Sequence, residues 1–143
     1  MSKGPPQGSP HSLIDVEWLG GSEFSAGRAE GPPIHIDGDA KSAPSPFDIL
    51  LASLATCACV DVVTILQKQR TPPTALHVRV EAHRVEAVPR RLASAVLHFS
   101  ITAPGATSSK VARAVELSVS KYCSVRSSLI ADAPVTWTID LQP

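Results

Sequence analysis

The chain has 143 residues, of which 43% are hydrophobic and 18% charged; that is one domain's worth of sequence with enough apolar material for a packed core, so a chain disordered throughout is excluded. Thirteen basic residues balance thirteen acidic ones, and no overall field draws the chain to nucleic acid or to an anionic membrane. Aromatic residues make up 4%, which also argues against a base-stacking platform.

Residues 1–12 are polar and rich in Pro and Gly, without the apolar run of a secretory leader, and read as a disordered tail on a cytoplasmic protein. Three cysteines are too few for a secreted disulfide scaffold, and in the cytoplasm thiols are kept reduced. Residues 13–143 are expected to form a single domain. Leu13 to Leu19 alternates, with Ile14, Val16 and Trp18 on one face and Asp15 and Glu17 on the other, as a half-buried strand does. Gly20-Gly21 turns the chain, Glu23 to Arg28 returns as a second strand, and Ile34-His35-Ile36 is a short third one.

Ser45-Pro46-Phe47-Asp48 carries three helix-start signals: a Ser cap, Pro at the first helical position, and an acid three residues after the cap. From Ile49 to Leu66 only Ser53, Thr56, Asp61 and Thr64 are polar, and Lys68 and Arg70 supply positive charge before Thr71-Pro72-Pro73 stops the helix. Such a helix is buried on most faces or spans a membrane. Asp61 and several small residues within it, and the lack of any second segment like it, favour a buried helix and no membrane. Pro46 to Arg70 would be roughly 37 Å long, which one small chain covers poorly, and dimerisation around it is the natural remedy.

Two alternating strands follow. Leu76, Val78, Val80 and Ala82 oppose His77, Arg79, Glu81 and His83, and Ala93, Ala95, Leu97, Phe99 and Ile101 oppose Ser94, Val96, His98 and Ser100. The polar phases place these histidines toward solvent. Thr107 to Tyr122 reads as a second helix, Ser124 to Ala131 as a short helical turn, and Pro134 to Leu141 as a last strand. The order is βββ-α-ββ-α-(α)-β, an α+β domain.

Cys57 and Cys59 lie within the central helix, where positions two apart diverge by about 200°. They form neither a disulfide nor a shared metal site without breaking the helix. Cys123 sits where the second helix ends, and geometry lets it meet Cys57 or Cys59, not both. By residue type alone, all three are ordinary small buried side chains.

The run Pro44-Ser45-Pro46-Phe47-Asp48-Ile49-Leu50-Leu51-Ala52-Ser53-Leu54-Ala55-Thr56-Cys57, continuing to Asp61-Val62-Val63-Thr64-Ile65-Leu66, resembles the central helix of the OsmC/Ohr family. These are the osmotically inducible and organic hydroperoxide resistance proteins. Lys121-Tyr122-Cys123-Ser124-Val125 is similar to the family's second cysteine motif. The Asp-Val-Val after the first cysteine is nearest to the OsmC-like branch rather than to the best-studied peroxidases. The resemblance covers the chain from about Leu13 onward. It implies an intertwined homodimer with the long buried helices at its centre and thiol peroxidase chemistry between subunits. Cys57 would attack organic hydroperoxides or hydrogen peroxide and become a sulfenic acid, and Cys123 would resolve it as a disulfide. A small thiol or a dithiol such as a lipoylated protein would then reduce that disulfide. No flavin, metal or other cofactor is required.

A thiol of pKa near 8.5 is only slightly ionised at pH 7, so Cys57 needs help. In the family an Arg from the N-terminal region does this, oriented by a Glu directly after the helix-opening Pro. Here that position is Phe47, and the next residue is Asp48, the third-position acid of the capping box. Asp48 and Arg28, the only Arg before the central helix, are therefore the expected substitutes, with Arg126 a second candidate cation. Asp61, one turn after Cys57, would raise the thiol's pKa if unpaired, so it is expected to meet a basic residue or a partner chain. Phe47 also supports an alternative: a non-catalytic protein that binds an apolar small molecule or senses redox state. A metal site of Cys57, Cys123 and a His is a third reading.

Overall fold

The computed structural model describes residues 11–143. The described chain forms two compact units that meet within the long helix, one ending at Ala52 and the other beginning at Ser53. All but two residues of the expected tail lie outside the described residues.

In the first unit, β1 (Ile14–Gly20), β2 (Glu23–Arg28) and β3 (Ile34–Asp37) form an antiparallel meander. Gly20 and Gly21 both take positive φ, 113° and 55°, a conformation that L side chains avoid, and they make the tight turn between β1 and β2. The apolar row of β1 is not half-buried as its alternation predicts: Ile14, Val16 and Trp18 are 59%, 62% and 68% exposed. Alternation sorts side chains onto faces, and whether a face is covered depends on what packs on it.

The segment from β3 into the long helix is gathered by Asp37, the last residue of β3, one beyond the strand expected from the sequence. Its carboxylate is 3% exposed. It accepts hydrogen bonds from the Ser22 hydroxyl at 2.5 Å, from the N–H groups of Asp39, Lys41 and Ser42 at 2.9–3.0 Å, and from the Ser42 hydroxyl at 3.2 Å. These bonds, that of Ser22 foremost, hold the carboxyl well below the usual range despite its burial. The signal in the sequence is Asp37-Gly38-Asp39, a side chain placed to bond its own following backbone.

Helix α1 (Pro46–Lys68) opens on a closed capping box. The Asp48 N–H donates to Ser45 Oγ at 3.1 Å, and the Ser45 N–H donates to Asp48 Oδ2 at 3.0 Å. The helix stops two residues short of the expected Arg70. Arg70 takes the left-handed conformation with φ 61°, the Thr71 N–H bonds the Leu66 carbonyl and the Arg70 N–H that of Gln67, which is a complete Schellman stop. The helix is long and apolar enough to cross a membrane by length and composition, yet a third of its apolar window is buried within the chain. The burial is one stripe, Leu54, Ala55, Ala58, Asp61, Val62 and Leu66, rather than the all-round cover expected, while Ala52, Thr56 and Val60 form an exposed row.

In the second unit, β4 (Ala75–Arg84) pairs antiparallel with β5 (Leu92–Thr102), and β5 pairs parallel with β6 (Val135–Gln142). A parallel partner demands a crossover connection. It is supplied by α2 (Ser108–Leu117), a π turn (Ser118–Tyr122) and α3 (Ser124–Ser128). Central β5 carries much of the core, with Ala95, Leu97, Phe99 and Ile101 all at most 1% exposed. On its other face, His98 Nδ1 is hydrogen-bonded to Thr138 Oγ1 at 2.8 Å and Nε2 lies 3.6 Å from Glu81; His77 and His83 are exposed, as their strand phase predicts. The expected helix from Thr107 to Tyr122 is a correction. Thr107 is the cap, its hydroxyl accepting from the Lys110 N–H, and regular helix ends at Leu117. There the Ser118 hydroxyl donates to the Ala114 carbonyl at 2.7 Å, loosening the α ladder, and the chain widens into the π turn before Cys123.

Candidate active site

Three elements of the second unit converge on two sulfurs. Helix α1 presents Cys57, which is half-buried, and Cys123 is the residue between the π turn and α3, 3% exposed. As the cap of α3, Cys123 Sγ accepts the Arg126 N–H at 3.3 Å. Its thiol also lies 3.9 Å from the Leu54 carbonyl and within hydrogen-bond reach of Cys57. Cys57 Sγ is 3.7 Å from the Ser124 hydroxyl. Of the two pairings that helix geometry leaves open, the structure brings together Cys57 and Cys123. All three cysteines are free thiols.

The two neighbours are electrostatically unequal. Burial pushes the Cys57 thiol up. The Val125 N–H, the Cys123 thiol, and the Ser124 hydroxyl and N–H donate to its sulfur, outweigh that burial, and leave it below its ordinary value. The first amides of α3 have no helical carbonyl to bond, so they are free to serve a thiolate. Cys123 is pushed up to about 11, by burial first and then by the hydrogen bond and negative charge of Cys57, against the opposing Arg126 N–H. The two shifts run in opposite directions, so Cys57 is the more readily ionised of the pair and Cys123 the less. Cys59 is pushed up to about 11 by burial alone.

This asymmetry predicts a labelling pattern. With iodoacetamide at pH 7, peptide mapping should find Cys57 alkylated first and Cys59 and Cys123 slowly. The pH at which Cys57 reacts half-maximally should lie below that of a free thiol, and Ser124→Ala should move it upward, because a donor to the charged form is lost.

Of the two cations expected to activate Cys57, Arg126 belongs to the same unit as the sulfur and Arg28 to the other. The Arg126 guanidinium donates to the carbonyls of Ile130 and Ala133 at 3.4 and 2.9 Å, so this residue serves the sulfur site through its backbone. Arg28, exposed at the end of β2, lines a cleft of the first unit with Asp15, Glu17 and Glu30. Asp48 is engaged with Ser45, as described above. Asp61 is 8% exposed, and burial pushes its carboxyl up; among the described residues no hydrogen bond or ion pair engages it. No three His, Cys, Asp or Glu side chains among the described residues are grouped to hold a metal ion, so the three-ligand reading has no geometry behind it.

Comparison with known proteins agrees with the architecture. Protein YhfA of Escherichia coli K12 is 36% identical over 127 residues, covering 88% of this chain and 95% of YhfA. An OsmC-like protein from Mycoplasma pneumoniae superimposes with a TM-score of 0.80 at 18% identity, over 93% of this chain and 98% of that one. An organic hydroperoxide resistance protein OsmC from Legionella pneumophila superimposes with a TM-score of 0.66 at 14% identity, over 91% and 96%; at these identities the likeness is one of fold. The family model for OsmC-like protein matches residues 38–138, and the chain belongs to the OsmC-like family.

Proposed function

We propose that this protein is a thiol-dependent peroxidase that reduces organic hydroperoxides or hydrogen peroxide through Cys57 and Cys123. The observation that carries the reading is that two free thiols, Cys57 beside the Ser124 hydroxyl at 3.7 Å and Cys123 beside the Leu54 carbonyl at 3.9 Å, are neighbours with opposite shifts, Cys57 downward and Cys123 upward. The Cys57 thiolate attacks one peroxide oxygen, the O–O bond breaks, and the leaving oxygen takes a proton and departs as alcohol or water. The Cys57 sulfenic acid then meets the Cys123 thiol, the S–S bond forms, and water leaves. An external dithiol, such as a lipoylated protein, returns both sulfurs to thiols. The cycle suits the cytoplasm, where such reductants are maintained.

We also propose a homodimer around α1. The exposed row of Ala52, Thr56 and Val60 on an otherwise apolar helix favours a second chain there. In the dimer Arg28 of either copy is the candidate second donor to Cys57, with Asp48 as its orienting acid. A non-catalytic role, ligand binding or redox sensing, is favoured by one observation: Phe47 stands where the family's orienting Glu would be, and Asp48 already serves the Ser45 cap.

The test is mass spectrometry after stoichiometric peroxide. A Cys57–Cys123 disulfide is expected. A disulfide through Cys59, or three unmodified thiols, would overturn the peroxidase reading.

A further inference from the structure

Cys123, 3% exposed, has a different neighbourhood on each of two sides. On one side stands Cys57. On the other, an open cleft of about 450 Å³ is lined by Cys123, Lys121, Arg126, Ser120, Ser127 and Leu129, among others, and Cys57 is not among its lining residues. That volume falls in the range of small-molecule sites. No Asp or Glu lines it. Its two cations are held by uncharged partners: the Lys121 ammonium lies 5.5 Å from the centroid of the Tyr122 ring, and the Arg126 guanidinium bonds two carbonyl oxygens. Among the described residues no ion pair consumes either charge.

We propose that the oxidised protein is re-reduced through Cys123 by an anionic thiol, which docks in this cleft with its carboxylates toward Lys121 and Arg126. The proposal rests on the Cys57–Cys123 disulfide of the preceding reading, adds the sulfur attacked and the side of approach, and puts an anionic thiol in place of the uncharged lipoyl group as the reductant. Thiol–disulfide exchange runs in line, the incoming sulfur opposite the leaving one. Cys57 is absent from the lining of this cleft, so a thiol docked there would come to Cys123 from a side other than that of Cys57. The leaving sulfur is then Cys57, whose thiolate is already met by the Ser124 and Val125 amides, and a better-stabilised thiolate leaves faster. In the first exchange the incoming thiolate bonds Cys123 Sγ, the protein S–S bond breaks, and its electron pair goes to Cys57. A second thiol, on the same reductant or another, bonds the sulfur of the first, and Cys123 leaves and takes a proton. Two thiols become one disulfide while the protein disulfide becomes two thiols.

The experiment uses the whole chain carrying Cys59→Ser, oxidised with diamide so that disulfide formation does not depend on peroxide chemistry. Reduction by mercaptosuccinate and by cysteamine is timed at low ionic strength, with rates expressed per thiolate. Mercaptosuccinate should be faster by about tenfold, and the advantage should collapse in about 1 M salt and in Lys121→Glu. Rapid quenching with N-ethylmaleimide and peptide mapping should place the mercaptosuccinate adduct on Cys123 and the maleimide on Cys57. Equal rates for the two thiols, or the adduct on Cys57, would sink the proposal. If diamide forms the disulfide and peroxide does not, the peroxidase reading fails and the docking proposal is still decided by the same rates. If diamide forms no Cys57–Cys123 bond, both fall.

Discussion

Cys57→Ser will reduce peroxide consumption to the rate of the uncatalysed reaction, whereas Cys59→Ser will turn over like the parent. The measurement is disappearance of an organic hydroperoxide with a dithiol in excess. The separation follows from environment. Both residues lie on one helix two positions apart, but only Cys57 receives the Val125 and Ser124 donors, while burial alone acts on Cys59. Cys123→Ser should give an intermediate phenotype: the first oxidation proceeds and no intramolecular disulfide follows. The sulfenic acid at Cys57 then becomes trappable with dimedone and climbs to the sulfinic acid when peroxide is in excess. Full turnover by Cys57→Ser would remove the nucleophile from the mechanism.

Phe99→Ala is expected to cost about 3–5 kcal/mol of unfolding free energy, read as a fall in the urea midpoint with an unchanged slope. Phe99 is 1% exposed and lies in the central strand, opposite Val78 of β4 on one side and Ile139 of β6 on the other. Truncation there opens a cavity at the strand that both neighbours use for register. The same replacement at Val88, which is 97% exposed, should leave the midpoint where it is.

The strands and helices could be placed from the sequence because their signals are local. Period-two alternation marks β4 and β5, and Ser45, Pro46 and Asp48 mark the start of α1 to the residue. The parallel pairing of β6 was not legible, because alternation in Val135 to Leu141 says which side chains share a face and nothing about which strand lies alongside. The π turn was hidden for a similar reason: Ser118 to Tyr122 has no composition that separates a widened turn from the helix before it, and the Ser118–Ala114 hydrogen bond exists only once the helix has formed. At the site, the two cysteines were readable as a pair through their resemblance to a known family. The source of activation was not. Sequence reasoning looked for a cationic side chain and named Arg28 and Arg126. Within the second unit activation falls to the Val125 and Ser124 N–H groups together with the Cys123 thiol and the Ser124 hydroxyl; the amides, which every residue except Pro carries, leave no mark in a sequence.

The position of Cys123 in the crossover between β5 and β6 ties the chemistry of Cys57 to the progress of folding. On a growing chain, α1 is complete some 55 residues before the Ser124 and Val125 amides exist, and until they arrive Cys57 is an ordinary thiol, mostly protonated at neutral pH. The donors that lower the Cys57 thiol come from the far end of the crossover, so this sulfur acquires its folded environment only once α3 has docked on α1.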